Sequence, residues 1–289
     1  MATEIFGPYQ VGPKVGEGDM GHVHQARDTR TDQVVALKIL DQFDLRGKFD
    51  REAAMELIEF AASIQYERLH PILQVIESDA DQGKLGIAMP VASGRSLWDH
   101  LKSGRSIPQK NAVQIIGAVA AALDFLHRQE VAHGAVKPSN VLLDRSGTAT
   151  LTDLPMAHLR ELGLRPAAPT ELQQYYLLTE ATYFSPPSMP DDVFALAVLA
   201  FHLLTGRLPF DDPRVEARGI PPEGGLPSLV HAVLLRGMTD NVHLRYESIA
   251  ALMQDFKGAF RGKIDEQTEH WFLKETPPPP DSDELPPST

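Results

Sequence analysis

Along the first ninety residues apolar and polar positions alternate with a period of two, and glycine-rich or charged turns cut the alternation into short pieces. Residues 9–15, 22–27 and 33–40 are predicted strands, and two more fall at 72–78 and 84–89. Residues 46–69 carry helical spacing instead, with Glu52, Glu56 and Glu59 recurring on nearly one helical face. Beyond residue 90 the longer period takes over. A long amphipathic helix is predicted over 108–129, opening at Pro108 and closing at Leu126 and His127. Residues 193–204 are apolar almost throughout and read as a buried helix too short to span a bilayer. From residue 265 the pattern stops. Pro277, Pro278, Pro279 and Pro280 stand in a row among Glu275, Asp281, Asp283 and Glu284, a composition that cannot bury a core. A disordered tail or linker is expected there.

Composition narrows the function classes. The 289 residues hold 27 basic and 39 acidic side chains, a formal charge of −12, which argues against a nucleic-acid or anionic-membrane surface. Cysteine is absent, which removes disulfides, cysteine–zinc sites and thiol nucleophiles and suits a cytoplasmic location. Residues 1–7 have neither a basic region nor an apolar run, so no signal peptide is expected, and no membrane span is expected within the chain.

The candidate chemistry lies in three stretches. The first turn reads Gly16-Glu17-Gly18-Asp19-Met20-Gly21, and Lys38 follows seventeen residues after Gly21. Glycines let backbone N–H groups approach a phosphate closely, and a lysine adds a point charge for its oxygens. A dinucleotide-binding turn shows the same glycines but opens a helix; here Val23 opens a strand. The second stretch is His133-Gly134-Ala135-Val136-Lys137-Pro138-Ser139-Asn140-Val141-Leu142-Leu143, and the third is Leu151-Thr152-Asp153-Leu154-Pro155.

Taken together these stretches resemble the protein kinase superfamily, most closely a bacterial-type Ser/Thr kinase domain. The second resembles the catalytic loop H-R-D-L-K-P-x-N, and the third resembles D-F-G. Further along, 192–210 resembles the central helix of the large lobe, and Asn241 to Tyr246 resembles an N-x-x-x-R-Y turn. The resemblance implies an α+β, bilobal, protein-kinase-like fold: a small β-rich N-lobe with one C-helix, and a larger, mainly helical C-lobe. The implied divisions are an N-terminal segment (1–8), the N-lobe (9–89), hinge and C-lobe (90–262) and the tail (263–289).

It implies ATP and magnesium as cofactors. Val15, Gly16, Gly18, Gly21, Val23, Ala36, Lys38, Met89, Pro90, Ala92, Lys137, Asn140, Leu142 and Asp153 fall at nucleotide-binding positions, with Asn140 and Asp153 as the metal ligands. Glu52 is the first choice for the partner of Lys38, with Glu56 and Glu59 as alternatives or all three as a solvated acidic stripe. Met89 falls at the gatekeeper position. Pro90 lacks an N–H but keeps the C=O that its position uses for adenine, and Ala92 keeps both groups.

The departures are concentrated. Ala135 stands at the position of the catalytic Asp, so no catalytic residue is assigned; Gly134 replaces Arg, Leu154 and Pro155 replace Phe and Gly of D-F-G, and Pro187 replaces a closing Glu. Arg245, which that Glu would pair, should turn to another acid or to backbone carbonyls. Three readings follow. One is a pseudokinase that binds ATP and acts as a switch or scaffold for a protein partner or an active kinase. Another is a pseudokinase that binds no nucleotide, which Asp19 favours by repelling phosphate. The last is an atypical transferase working without the usual Asp.

Overall fold

The computed structural model describes residues 4–18, 20–40, 50–78, 84–104, 106–164, 174–177, 185–209 and 226–263. Asp19, most of the segment between Leu164 and Ser185, and the tail expected beyond 263 lie outside the described residues.

The N-terminal part is a six-stranded antiparallel sheet in the order β1-β2-β3-β4-β6-β5. Its strands are β1 (Ile5–Phe6), β2 (Tyr9–Gly18), β3 (Gly21–Asp28), β4 (Val34–Leu40), β5 (Gln74–Ser78) and β6 (Lys84–Pro90). Strands β2 and β3 meet at the glycine turn, with Gly18 opposite Gly21. Gly21 is required there: its φ is +154°, and a Cβ would lie 2.1 Å from the carbonyl oxygen of Ile39. Alternation along β4 sorts its side chains. Val35, Leu37 and Ile39 join one buried cluster with Phe6, Tyr9 and Ile76, so Ala36 and Lys38 fall on the opposite face.

The single helix among the described residues of this part, α1 (Arg51–Ser63), is capped by Asp50, whose side chain accepts from Ala53 N–H. Its buried face is Ala54, Ile58 and Ala61. The helix is shorter than the predicted 46–69. Residues 41–49 are not described, and Ile64 turns extended. Past that point the chain is committed elsewhere: Leu69 bridges to Leu151, His70 N–H donates to Leu151 O, and Leu151 N–H donates to Arg68 O. These bonds to a strand of the second lobe replace further helical turns.

That lobe opens with β7 (Arg95–Ser96) and α2 (Leu97–Lys102), continues with α3 (Gln109–His127), and carries β8 (Val141–Leu143), paired with β7, and β9 (Ala149–Leu151), paired with β8. A 3-10 turn spans Pro138–Asn140. Then come α4 (Met156–Leu159), α5 (Met189–Thr205), α6 (Ser228–Gly237) and α7 (Ile249–Ala259). Helix α5 is buried from Asp192 to Leu203 because the other helices surround it, which explains its nearly unbroken apolar sequence. It ends at Gly206, in the left-handed region at φ +74°. The molecule is therefore the bilobal α+β arrangement expected. No helix among the described residues is long and apolar enough to cross a membrane.

Candidate functional site

The loop from His133 to Asn140 is suspended from α5 by one buried carboxylate. Asp192, fully buried in the first turn of α5, accepts from His133 N–H at 2.7 Å, from Gly134 N–H at 2.8 Å and from the His127 ring at 2.9 Å. The sequence pattern placed Asp192 at the start of a helix and, with Asp191, among the acids near Arg245. Its signal is an acid opening an otherwise apolar run, where a charge needs partners to be buried. The His133 ring is also wholly buried and held neutral, since burial pushes its pKa below the usual histidine range. Its Nε2–H donates to Thr152 O at 3.1 Å, and its Nδ1 accepts from Ala135 N–H at 3.2 Å.

One expected member, Asn140, closes on Ala135. Asn140 Nδ2 donates to Ala135 O at 2.8 Å, and Thr152 N–H donates to Asn140 O at 2.9 Å, tying the loop to the strand that carries Asp153. The loop backbone is thus assembled while residue 135 presents only a methyl group. Gly134 sits at φ +66°, where a Cβ would fall 2.4 Å from Pro187 Cβ and 2.8 Å from Ala157 Cβ. The guanidinium near this spot belongs to Arg160, buried, with Nη2 donating to Gly134 O at 3.1 Å.

Lys38, buried on β4, reaches Asp153 with Nζ 2.6 Å from Oδ2. Burial alone would raise the Asp153 pKa and is the largest single influence. The charge and hydrogen bond of Lys38, with Lys137 and His133 beyond, outweigh it and hold the carboxyl below its ordinary value. Asp153 itself adopts φ +69°, a left-handed conformation. The glycine turn closes over the pair: a Cβ on Gly18 would stand 3.4 Å from Lys38 Nζ.

None of the three glutamates meets Lys38. Glu52, Glu56 and Glu59 are all exposed, which leaves them as the solvated stripe. The expected Glu52–Lys38 pair is therefore not formed. The reason lies in α4. Met156 and Leu159, with Leu164 and Met20 of the glycine turn, share a buried cluster with Ala54 and Ile58 of α1. The inner face of α1 is spent on apolar contacts, so its acids turn outward. Pro155, at φ −76° and ψ −11°, opens α4, and His158 Nε2–H donates to Ala132 O at 2.7 Å.

At the hinge Ala36 pairs in register with Met89, which is buried. Val23, Leu142 and Ala92 are half-buried, while Val15 is 62% exposed. The carbonyl of Pro90, expected to face adenine, accepts from His70 Nε2–H at 3.0 Å. His70 is kept neutral by burial, which lowers its pKa. This partner was not legible in sequence, because His70 comes from a loop twenty residues away.

The donor set of Asn140 and Asp153, one amide and one carboxylate, has oxygen chemistry suited to magnesium. In this arrangement Asp153 Oδ2 is held by a buried ammonium, and Asn140 Oδ1 lies 3.3 Å from the Ser139 hydroxyl that donates to it. Among the described residues no three His, Asp or Glu side chains gather as a metal site.

Comparison with known proteins agrees with the fold. The model of the protein kinase domain family matches residues 9–220. CBL-interacting serine/threonine-protein kinase 7 of Arabidopsis thaliana is 31% identical over 230 residues, 75% of this chain and 50% of that protein. Probable serine/threonine-protein kinase PknB of Lactococcus lactis is 26% identical over 262 residues, 86% of this chain and 41% of that protein. The chain thus spans half or less of the length of these relatives. The crystal structure of the Mycobacterium tuberculosis PknI kinase domain shares the fold with a TM-score of 0.69 at 22% identity, covering 90% of this chain and 99% of that one.

Proposed function

Given that the chain belongs to the protein kinase domain family, we propose that it is a catalytically impaired member, a pseudokinase, that binds ATP and acts as a regulatory switch or as a scaffold for a protein partner. The observation that carries this reading is Ala135. Both backbone groups of Ala135 are hydrogen-bonded, yet the side chain that should accept the substrate proton has no lone pair. Loss of a general base costs about 10²–10⁴ in rate. The phosphate-binding set is meanwhile retained: Gly16, Gly18 and Gly21 in the turn, then Lys38, Asn140 and Asp153. A cytoplasmic location and the absence of a nucleic-acid partner accord with the composition.

Two measurements test the reading. Transfer of labelled phosphate from ATP to a generic basic protein should stay at background; ordinary kinase turnover would favour an atypical transferase instead. ATP should raise the melting temperature, since ligand at roughly one hundred times its Kd adds about 2.7 kcal/mol. Lys38→Met should abolish that stabilisation, and an unchanged shift in the variant would remove Lys38 from the phosphate site. A second reading, binding by protein contact alone, is favoured by the Pro90 carbonyl already engaged with His70 and by the Lys38–Asp153 clasp. The absence of any ATP-induced shift in the wild-type chain would select it.

A further inference from the structure

We propose that the phosphate site takes its nucleoside triphosphate without a divalent cation, the Lys38 ammonium occupying the place between phosphate and Asp153 that a metal ion would fill. The proposal rests on the ATP-binding reading above. Three observations converge on one point. Lys38 Nζ lies 2.6 Å from Asp153 Oδ2, its side chain 3% exposed. The same Nζ lies directly beneath Gly18 of the glycine turn, where a Cβ would be 3.4 Å away. No acid of α1 draws the lysine off, because Glu52, Glu56 and Glu59 are exposed.

The consequence is a competition. A metal ion at Asp153 Oδ2 would have to displace a buried ammonium. An ammonium has three N–H donors, so Lys38 can keep Asp153 and still donate to phosphate oxygens. Charge favours the same outcome. Lys137, also buried, adds a second cation that already acts on Asp153, while Ala135 leaves this side of the cleft one carboxylate short. Lys38 and Lys137 both act on Asp153 from within the cleft, and their charges favour an anionic ligand such as a triphosphate.

The test is calorimetric titration of the whole chain with ATP, once in magnesium buffer and once in EDTA. The two Kd values should agree within about threefold. Weakening by more than about tenfold in EDTA overturns the proposal while leaving ATP binding intact. No heat of binding in either buffer overturns the ATP-binding reading and this one with it. Asp153→Asn gives an independent check. It removes a negative charge facing the phosphates, so affinity should be equal or higher in both buffers. A loss confined to magnesium buffer would show that Asp153 holds a metal ion, and would overturn the proposal.

Discussion

Gly134 holds a left-handed φ of +66° with Pro187 and Ala157 packed against the place of a side chain. An L-residue there meets backbone strain and overlap at once. Gly134→Ala should cost about 1–3 kcal/mol from the backbone term alone, read as a lower urea midpoint with an unchanged slope. Restoring Arg at this position is blocked for the same reason, and the nearby guanidinium of Arg160 comes from α4 instead. Ala135 is different, since its neighbours leave the loop backbone in place. Ala135→Asp should fold, yet labelled-phosphate transfer should stay near background, because Lys38 still holds Asp153 and Pro155 still opens α4. Ala135→Asp with Pro155→Gly should exceed either single variant. Near-normal transfer by Ala135→Asp alone would identify residue 135 as the sole chemical lesion.

At the scale of elements, two contacts set the site. One is the docking of α4 under α1, which buries Met156 and Leu159 and turns the α1 acids to solvent. The other is the suspension of the 133–140 loop from α5 through Asp192. Asp192→Ala leaves His133 N–H and Gly134 N–H without their acceptor in a buried setting. Loss of such a partner costs about 1–3 kcal/mol for each neutral donor left unsatisfied. The variant should therefore melt well below wild type, and amide exchange at His133 and Gly134 should accelerate. Retained protection at those two amides would show that another acceptor takes them. The far end of the lobe follows the same rule. Arg245, buried and without the Glu that Pro187 replaces, donates to Thr239 O at 3.0 and 2.8 Å and to Pro190 O at 2.7 Å. Backbone carbonyls take these hydrogen bonds, and the charges of Asp191 and Asp240 act on the guanidinium besides.

Across the whole molecule, buried neutral histidines make the fold sensitive to acid. His202, packed in the large lobe, accepts from the Tyr176 hydroxyl at 2.9 Å, and burial lowers its pKa from 6.5 to about 4. Between those pH values the unfolded chain takes up a proton that the folded chain does not. Stability should therefore fall as pH drops from 6.5 to about 4 and level off below, a loss of roughly 3 kcal/mol from this residue. His70 and His133, also lowered by burial, act in the same direction. Asp153, held low in the folded state, adds stability that is lost as pH falls through its folded pKa. Denaturant midpoints measured across this range should slope less steeply for His202→Asn than for wild type. Equal slopes would mean that His202 titrates alike in the folded and unfolded chain.

Local pattern was enough for the parts that depend on near neighbours. Period-two alternation placed the five predicted strands to within a few residues, and put Ala36 and Lys38 on one face of β4. Residue identity alone decided that position 135 carries no proton acceptor and that the glycine turn precedes a strand. Pairing across the fold was another matter. Glu52, Glu56 and Glu59 share a helical face in sequence, but which way that face turns depends on what packs against the other side, and α4 supplies that from a hundred residues away. Lys38 meets an acid 115 residues distant, Pro90 meets a histidine from another loop, and α1 ends where Leu69 finds Leu151. Helical and strand periods define faces within one element; only the packing of elements against each other decides which charge ends beside which.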